Sequence, residues 1–177
     1  MQNNLKLLYP EFPSTCINGV HLKFSESLFS KTKNKAHDLL VRKHLITEVV
    51  VLKLFPGISK QVVAGILNIP DLKGVVLETF GAGNSPNPEN FIELFKNAID
   101  KGIKIINVTQ CIGGSVLLGH YDTSLMLNKV GVINGVDITT EAAIDKLMYL
   151  LNENLSADDF KTFFEKSLKG EITDNPF

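Results

Sequence analysis

From residue 49 onward, the chain alternates between short apolar runs and stretches in which apolar residues recur every three or four positions. The apolar runs predict β-strands over residues 49–55, 74–80, 103–109 and 132–133. Runs that are apolar throughout are typical of parallel strands covered on both faces. The sequence therefore predicts an α/β fold, a three-layer sandwich with a mainly parallel sheet of about four strands and helices on both faces.

Helical periodicity fills the intervals between the predicted strands. Ser59, Asn87 followed by Pro88, and Ser156 each mark a helix start, because their side chains can accept from free backbone N–H groups or their ring fits the first turn. Ser156 also opens a Ser-Ala-Asp-Asp string that resembles a capping box. The predicted helices cover residues 59–67, 88–102, 122–129, 140–154 and 156–168.

The first 48 residues differ in composition and in hydrophobic pattern. Pro10 and Pro13 come early, and the polar, Ser/Lys-rich run 25–35 shows no sustained periodicity, which is typical of linker or edge material. Two apolar pieces, 5–8 and 20–24, could pair as strands but cannot build a core. We therefore predict a linker or edge segment over residues 1–48 and one α/β domain over residues 49–177.

Composition narrows the classes of partner. The chain has 18 basic and 19 acidic residues and a net charge of -1, which offers no broad electrostatic surface for nucleic acid or an anionic membrane. Cys16 and Cys111 lie far apart without a Cys-x-x-Cys spacing, so neither a disulfide framework nor a zinc cluster is predicted. With no signal peptide pattern or membrane span in the sequence, a cytoplasmic location is expected.

Candidate chemistry concentrates in two glycine-bearing loops. In open parallel sheets ligands bind beyond the carboxyl ends of the strands, where the loops after Phe80 and Thr109 begin. The first loop presents the Asn84 amide, either to a ligand or as a cap of its own turn. The second brings Thr109 together with Cys111, whose thiol is either a nucleophile or a small filler.

Neither loop completes a recognised cofactor or catalytic motif. The first lacks a third glycine at dinucleotide spacing and has no lysine for a phosphate loop. His21, His37 and His44 lack the spacing of a metal-binding helix, and His120 is the sole histidine near Cys111 in the sequence. We therefore predict no cofactor and no metal, and no catalytic set contained within the chain.

Four strings, in this order and spacing, resemble type I (cytoplasmic) L-asparaginases. They are Phe-Pro-Gly-Ile-Ser at 55–59, Glu-Thr-Phe-Gly-Ala-Gly-Asn at 78–84, Asn-Val-Thr-Gln-Cys at 107–111 and Gly-Val-Ile-Asn-Gly-Val-Asp-Ile-Thr-Thr-Glu-Ala at 131–142. The resemblance extends from Leu52 to Glu171. It implies the C-terminal domain of a two-domain amidohydrolase that converts L-asparagine and water to L-aspartate and ammonia, and that forms homodimers and homotetramers.

The resemblance also implies roles for individual residues. The family's threonine nucleophile lies in a Thr-Gly-Gly-Thr motif, assisted by a Thr-Asp-Lys group, both in an N-terminal domain; this sequence contains neither string. Asn84 matches the amide that orients substrate in the neighbouring subunit's active site. Glu78, Thr109 and Cys111 match an effector pocket near the dimer interface, but Glu78 replaces the arginine of regulated members, which disfavours control by asparagine.

These matches predict a chain that is inactive alone and depends on the missing N-terminal domain and on homo-oligomerisation through the C-terminal domain to act on L-asparagine. Two alternatives stay open. One is the asparaginase-like subunit of a glutamyl-tRNA amidotransferase, which shares this domain. The other is a non-catalytic module that binds a small amino acid at the Asn84 and Cys111 loops.

Overall fold

The structure, a computed structural model, describes residues 16–18, 22–24, 44–85, 88–116 and 122–173. Contacts divide the chain into two compact units, Met1–Arg42 and Lys43–Phe177. Its elements, in chain order, are β1 (Cys16–Asn18), β2 (Leu22–Phe24), β3 (Val49–Lys53), α1 (Lys60–Leu67), β4 (Gly74–Thr79), α2 (Pro88–Asp100), β5 (Lys104–Thr109), α3 (Asp122–Lys129), β6 (Ile133–Asn134), α4 (Thr140–Leu151) and α5 (Ala157–Glu165).

The first unit contains an antiparallel pair of strands, β1 and β2, in which Cys16 lies opposite Phe24. The predicted apolar piece 20–24 thus does supply a strand, whereas the piece 5–8 lies outside the described residues. The chain divides between Arg42 and Lys43, six residues before the predicted start of the domain at Val49. The linker role of residues 1–48 stays a prediction.

The second unit is built on a parallel sheet of four strands in the order β3-β4-β5-β6. Gly74 pairs with Val49 on one side and with Lys104 on the other, so β4 and β5 are the inner strands. Four consecutive residues of β4, from Gly74 to Leu77, are buried, as expected for a strand covered on both faces. The predicted α/β class with a parallel sheet is confirmed.

Two separate apolar cores lie on the two faces of the sheet. Because side chains of a strand alternate between faces, Val75 and Leu77 belong to the core packed by α1, α2 and α3, while Val76 belongs to the core packed by α4 and α5. Phe95 and Phe164 are fully buried, one in each core. This arrangement is the three-layer sandwich.

Short polar side chains begin the helices where the sequence predicted. Ser59 accepts a hydrogen bond from Val62 N at 3.2 Å and caps α1. Ser156 accepts from Asp159 N at 3.1 Å and caps α5, and its hydroxyl donates to the Asp159 carboxylate at 2.6 Å. The predicted cap at Asn87 lies outside the described residues.

Candidate functional site

The carboxyl ends of β4, β5 and β6 bring three loops together. The first loop closes on itself directly after β4: Phe80 N donates to Asn84 O and Asn84 N donates to Phe80 O, both at 2.8 Å. Gly81 (φ 50°) and Gly83 (φ 105°) adopt left-handed conformations that other residues rarely take, so this tight turn requires glycine. The turn fixes the backbone of Asn84, whose side chain is half-buried.

The second loop is tied to the first by Thr109. Its hydroxyl donates to the Gly81 carbonyl at 2.6 Å and accepts from Cys111 N at 3.0 Å. The structure thus brings Asn84, Thr109 and Cys111 to one loop cluster, which we call the 81–111 cluster after the bonded residues Gly81, Thr109 and Cys111. The Cys111 thiol is free and exposed.

Glu78 lies outside the 81–111 cluster. It follows Val76 on the α4 side of the sheet, and its carboxylate accepts from the Thr140 hydroxyl at 2.7 Å in the first turn of α4. Lys53 Nζ lies 3.2 Å from the other oxygen. Glu78 is thus engaged by its own chain at a helix N-terminus, where negative charge is favoured. Its assignment to an effector pocket with Thr109 and Cys111 stays a prediction.

A buried polar pair lies beneath the first loop. Thr79 and Asn107 are both fully buried, on the face packed by α1 to α3, and the Thr79 hydroxyl donates to Asn107 Oδ1 at 2.7 Å. Both residues lie in strings that resemble the L-asparaginases, at 78–84 and 107–111, but the sequence alone did not indicate that they form a pair. The available signal was polarity: Thr79 and Asn107 directly follow the apolar residues Leu77 and Ile105 on the same face of their strands.

A buried lysine lies on α4. Lys146 Nζ donates to Glu171 Oε1 at 2.6 Å and to Lys166 O at 2.7 Å, below a surface groove of about 570 Å³. Burial raises the pKa of the Glu171 carboxyl, but the Lys146 ammonium and the backbone N–H of Leu168 and Lys169 more than offset this and lower the pKa to about 2. The ion pair joins the C-terminal segment to α4.

Neither a metal-binding group nor a membrane-spanning helix is found within the described ranges. No group of three or more His, Cys, Asp or Glu residues there is placed to hold a metal ion. No helix in those ranges has both the length and the apolar character needed to cross a bilayer.

The domain is an open parallel sheet with a glycine-rich turn after one inner strand, β4, and a loop bonded to that turn after the other, β5. Residues 48–164 match the Glutaminase/Asparaginase C-terminal domain family, and the chain belongs to it. L-asparaginase 1 of Escherichia coli (strain K12) is 33% identical over 164 residues, which cover 93% of this chain and 48% of that protein. The predicted family membership is confirmed.

Other relatives have different names. The 60 kDa lysophospholipase of Mus musculus is 36% identical over 165 residues, covering 93% of this chain and 29% of that protein. A glutamyl-tRNA(Gln) amidotransferase subunit of Methanococcus maripaludis (strain C7) is 30% identical over 154 residues, covering 87% of this chain and 36% of that protein.

Solved structures agree with the fold. The crystal structure of L-asparaginase I from Vibrio cholerae O1 biovar eltor superposes with a TM-score of 0.82 at 33% identity, covering 93% of this chain and 49% of that one. The chain therefore spans about half the length of the asparaginases that it matches.

Proposed function

We propose that this chain is the C-terminal domain of an L-asparaginase and that it supplies the Asn84 amide to the active site of a neighbouring subunit, where the amide orients L-asparagine for hydrolysis. The observation that carries the proposal is the closed turn 80–84 at the carboxyl end of an inner strand, which fixes Asn84 where parallel sheets bind ligands. The similarity to L-asparaginases supports the substrate.

The chain acts with a partner domain. Its sequence has neither a Thr-Gly-Gly-Thr nor a Thr-Asp-Lys string, the two motifs that carry the chemistry in this family. Positioning groups cannot form an acyl intermediate without a nucleophile, so the chain alone is inactive. We place the assembled enzyme in the cytoplasm as a homo-oligomer, with no nucleic acid, membrane, metal or cofactor in its function.

The experiment combines the purified chain with a separate N-terminal domain that carries both motifs and measures ammonia release from L-asparagine. The expected result is turnover by the mixture and none by either part. Asn84→Ala should lower kcat/KM about 10- to 100-fold, the loss of one hydrogen bond to a charged substrate. Asn154→Ala removes the same amide from an exposed position beyond α4 and should leave the rate unchanged.

Two outcomes contradict the proposal. Turnover by the chain alone, abolished by Cys111→Ala or Thr109→Ala, would place a nucleophile in the 81–111 cluster. A mixture whose rate does not respond to Asn84→Ala would remove the proposed role of this amide.

The amidotransferase relative supports a second candidate, the asparaginase-like part of a glutamyl-tRNA amidotransferase. In that case the mixture should hydrolyse L-asparagine poorly until a tRNA-binding partner protein is added. Binding of L-asparagine by the isolated chain in calorimetry, with no turnover in any mixture, would instead favour the non-catalytic amino-acid-binding module.

A further inference from the structure

The Thr79–Asn107 pair is an unusual choice of residues for its position. The Thr79 hydroxyl has one proton, and it reaches both Asn107 Oδ1 at 2.7 Å and Val108 O at 3.2 Å. Asn107 Nδ2, also buried, finds no hydrogen-bond partner among the described residues. A buried, unbonded amide N–H is destabilising, and a pair of apolar side chains of similar size would avoid that penalty. Stability alone therefore does not account for the pair.

The open amide edge faces the turn that carries Asn84. A Cβ placed on Gly83 would lie 3.2 Å from Asn107 Nδ2 and 2.8 Å from Val116 Cγ1, so the Gly83 backbone rests close to the Asn107 amide. Gly83 precedes Asn84 directly, and its N–H donates to Phe80 O at 3.0 Å. The Asn107 amide and the Val116 side chain thus form the surface on which this turn rests.

Asn107 is also fixed from its other side. Its backbone carbonyl accepts from Gly135 N at 2.9 Å, which joins β5 to the loop after β6. With the backbone fixed by this bond and the side chain fixed by Thr79, the amide has one defined position. Because Thr79 and Asn107 lie on paired strands, the sheet sets the position of the amide beneath the loop.

We propose that Thr79 and Asn107 are positioning residues for Asn84. The Thr79 hydroxyl orients the Asn107 amide, and this amide sets the direction of the turn 81–84 and its distance from the sheet. The inference rests on the proposed function, because a position matters only if Asn84 contacts substrate. A misplacement of about 1 Å in such a group can lower a rate about 100-fold.

The test separates positioning from stability with the double variant Thr79→Val/Asn107→Leu. Both changes keep the approximate size of the side chain and remove the polar atoms together, so the urea midpoint of the isolated chain should be equal to or higher than that of the native chain. Amide hydrogen exchange at Gly83 and Asn84 should nevertheless speed up about tenfold or more as the turn loses its fixed support. In the two-domain ammonia assay, kcat/KM should fall about tenfold or more.

Two control variants keep the test specific. Thr79→Ser keeps the hydroxyl and should show the same exchange and turnover as the native chain. Ile106→Val removes one methylene from β5, next to Asn107 but on the opposite face of the sheet. It should lower the urea midpoint without changing exchange at Gly83 and Asn84.

Native exchange and native kcat/KM in the double variant would overturn the inference, as would an activity loss that simply follows a loss of stability. If the double variant does not fold, Thr79→Val and Thr79→Ser are compared instead. Equal effects of these two would overturn the inference, and an effect of Thr79→Val alone would support it. Absence of turnover with the native chain would contradict the proposed function, and the exchange data on the isolated chain would still decide whether the pair fixes the turn.

Discussion

Gly135 offers a sharp test of how closely β5 and the loop after β6 pack. A Cβ at this position would lie 2.6 Å from the carbonyl oxygen of Asn107, well inside the optimum of about 3.5 Å for nonbonded heavy atoms. It would also lie 3.0 Å from methyl carbons of Val108 and Ile138. Since the nearest atom belongs to the backbone of an inner strand, no side-chain rotation can relieve the clash. We therefore expect Gly135→Ala to be strongly destabilising.

The magnitude follows from two contributions. Overpacking of a close-packed core costs about 1–3 kcal/mol. Gly135 N also donates to the same Asn107 oxygen at 2.9 Å, and a shift that relieves the clash weakens this bond, at a cost of about 1 kcal/mol. The sum is about 2–4 kcal/mol, and at about 2–4 °C per kcal/mol for a chain of this size the Tm should fall by roughly 4–16 °C.

The assay is urea unfolding followed by circular dichroism, with Gly65→Ala as the matched control. Gly65 is exposed inside α1, and a Cβ there meets no atom within 4 Å, so alanine should stabilise the helix by about 0.5–1 kcal/mol. The two variants make the same change in the unfolded chain and should move the urea midpoint in opposite directions. If the urea midpoint of Gly135→Ala shifts by an amount that corresponds to less than about 0.5 kcal/mol of destabilisation, the packing argument is refuted.

Two further predictions concern acid and association. Because the folded-state pKa of Glu171 is lowered to about 2 from 4.5, its contribution, about 1–2 kcal/mol after allowance for solvent screening, is present above pH 4.5 and is lost as the pH falls toward 2. Glu171→Gln should flatten this part of a stability profile measured by urea unfolding; an equally steep fall in the variant would contradict the Lys146 pairing. Ile112, after β5, and Phe55, after β3, are 86% and 52% exposed, so the isolated chain should self-associate, and Ile112→Ser should reduce association. A strictly monomeric sedimentation profile of the native chain would be the opposite result.

Much of the fold could be predicted because the sheet buries long apolar runs and the helices begin at short polar side chains. The strands from Gly74 and near Ile103 follow from apolar runs that the sheet buries, and Ser59 caps α1 as its chemistry indicates. Helical spacing is less precise about depth: Val62 and Val63 both fit the apolar spacing of α1, yet Val63 is fully buried and Val62 is 50% exposed. The few turns of an eight-residue helix leave the angular limits of its apolar stripe poorly determined.

The site was predictable only in part. The glycines around Asn84 indicated a tight turn, which the structure contains. The position of the Glu78 carboxylate could not be derived, because its contacts with Thr140 and Lys53 join residues far apart in the sequence. The partner of Lys146 was equally inaccessible, since a lysine on an apolar helix face gives no indication of which distant carboxylate accepts from it.

The division of the interior into two cores bears on how this sequence can change over evolutionary time. Backbone atoms of β4 and β5 separate the two sets of side chains, so a substitution at Phe95 and another at Phe164 share no partner, and their effects on stability should be close to additive. Direct repacking around a lost contact then involves residues on the same side of the sheet. Lineages can then diversify one layer of helices while the other retains its ancestral residues, with little direct coupling between the two sets of substitutions.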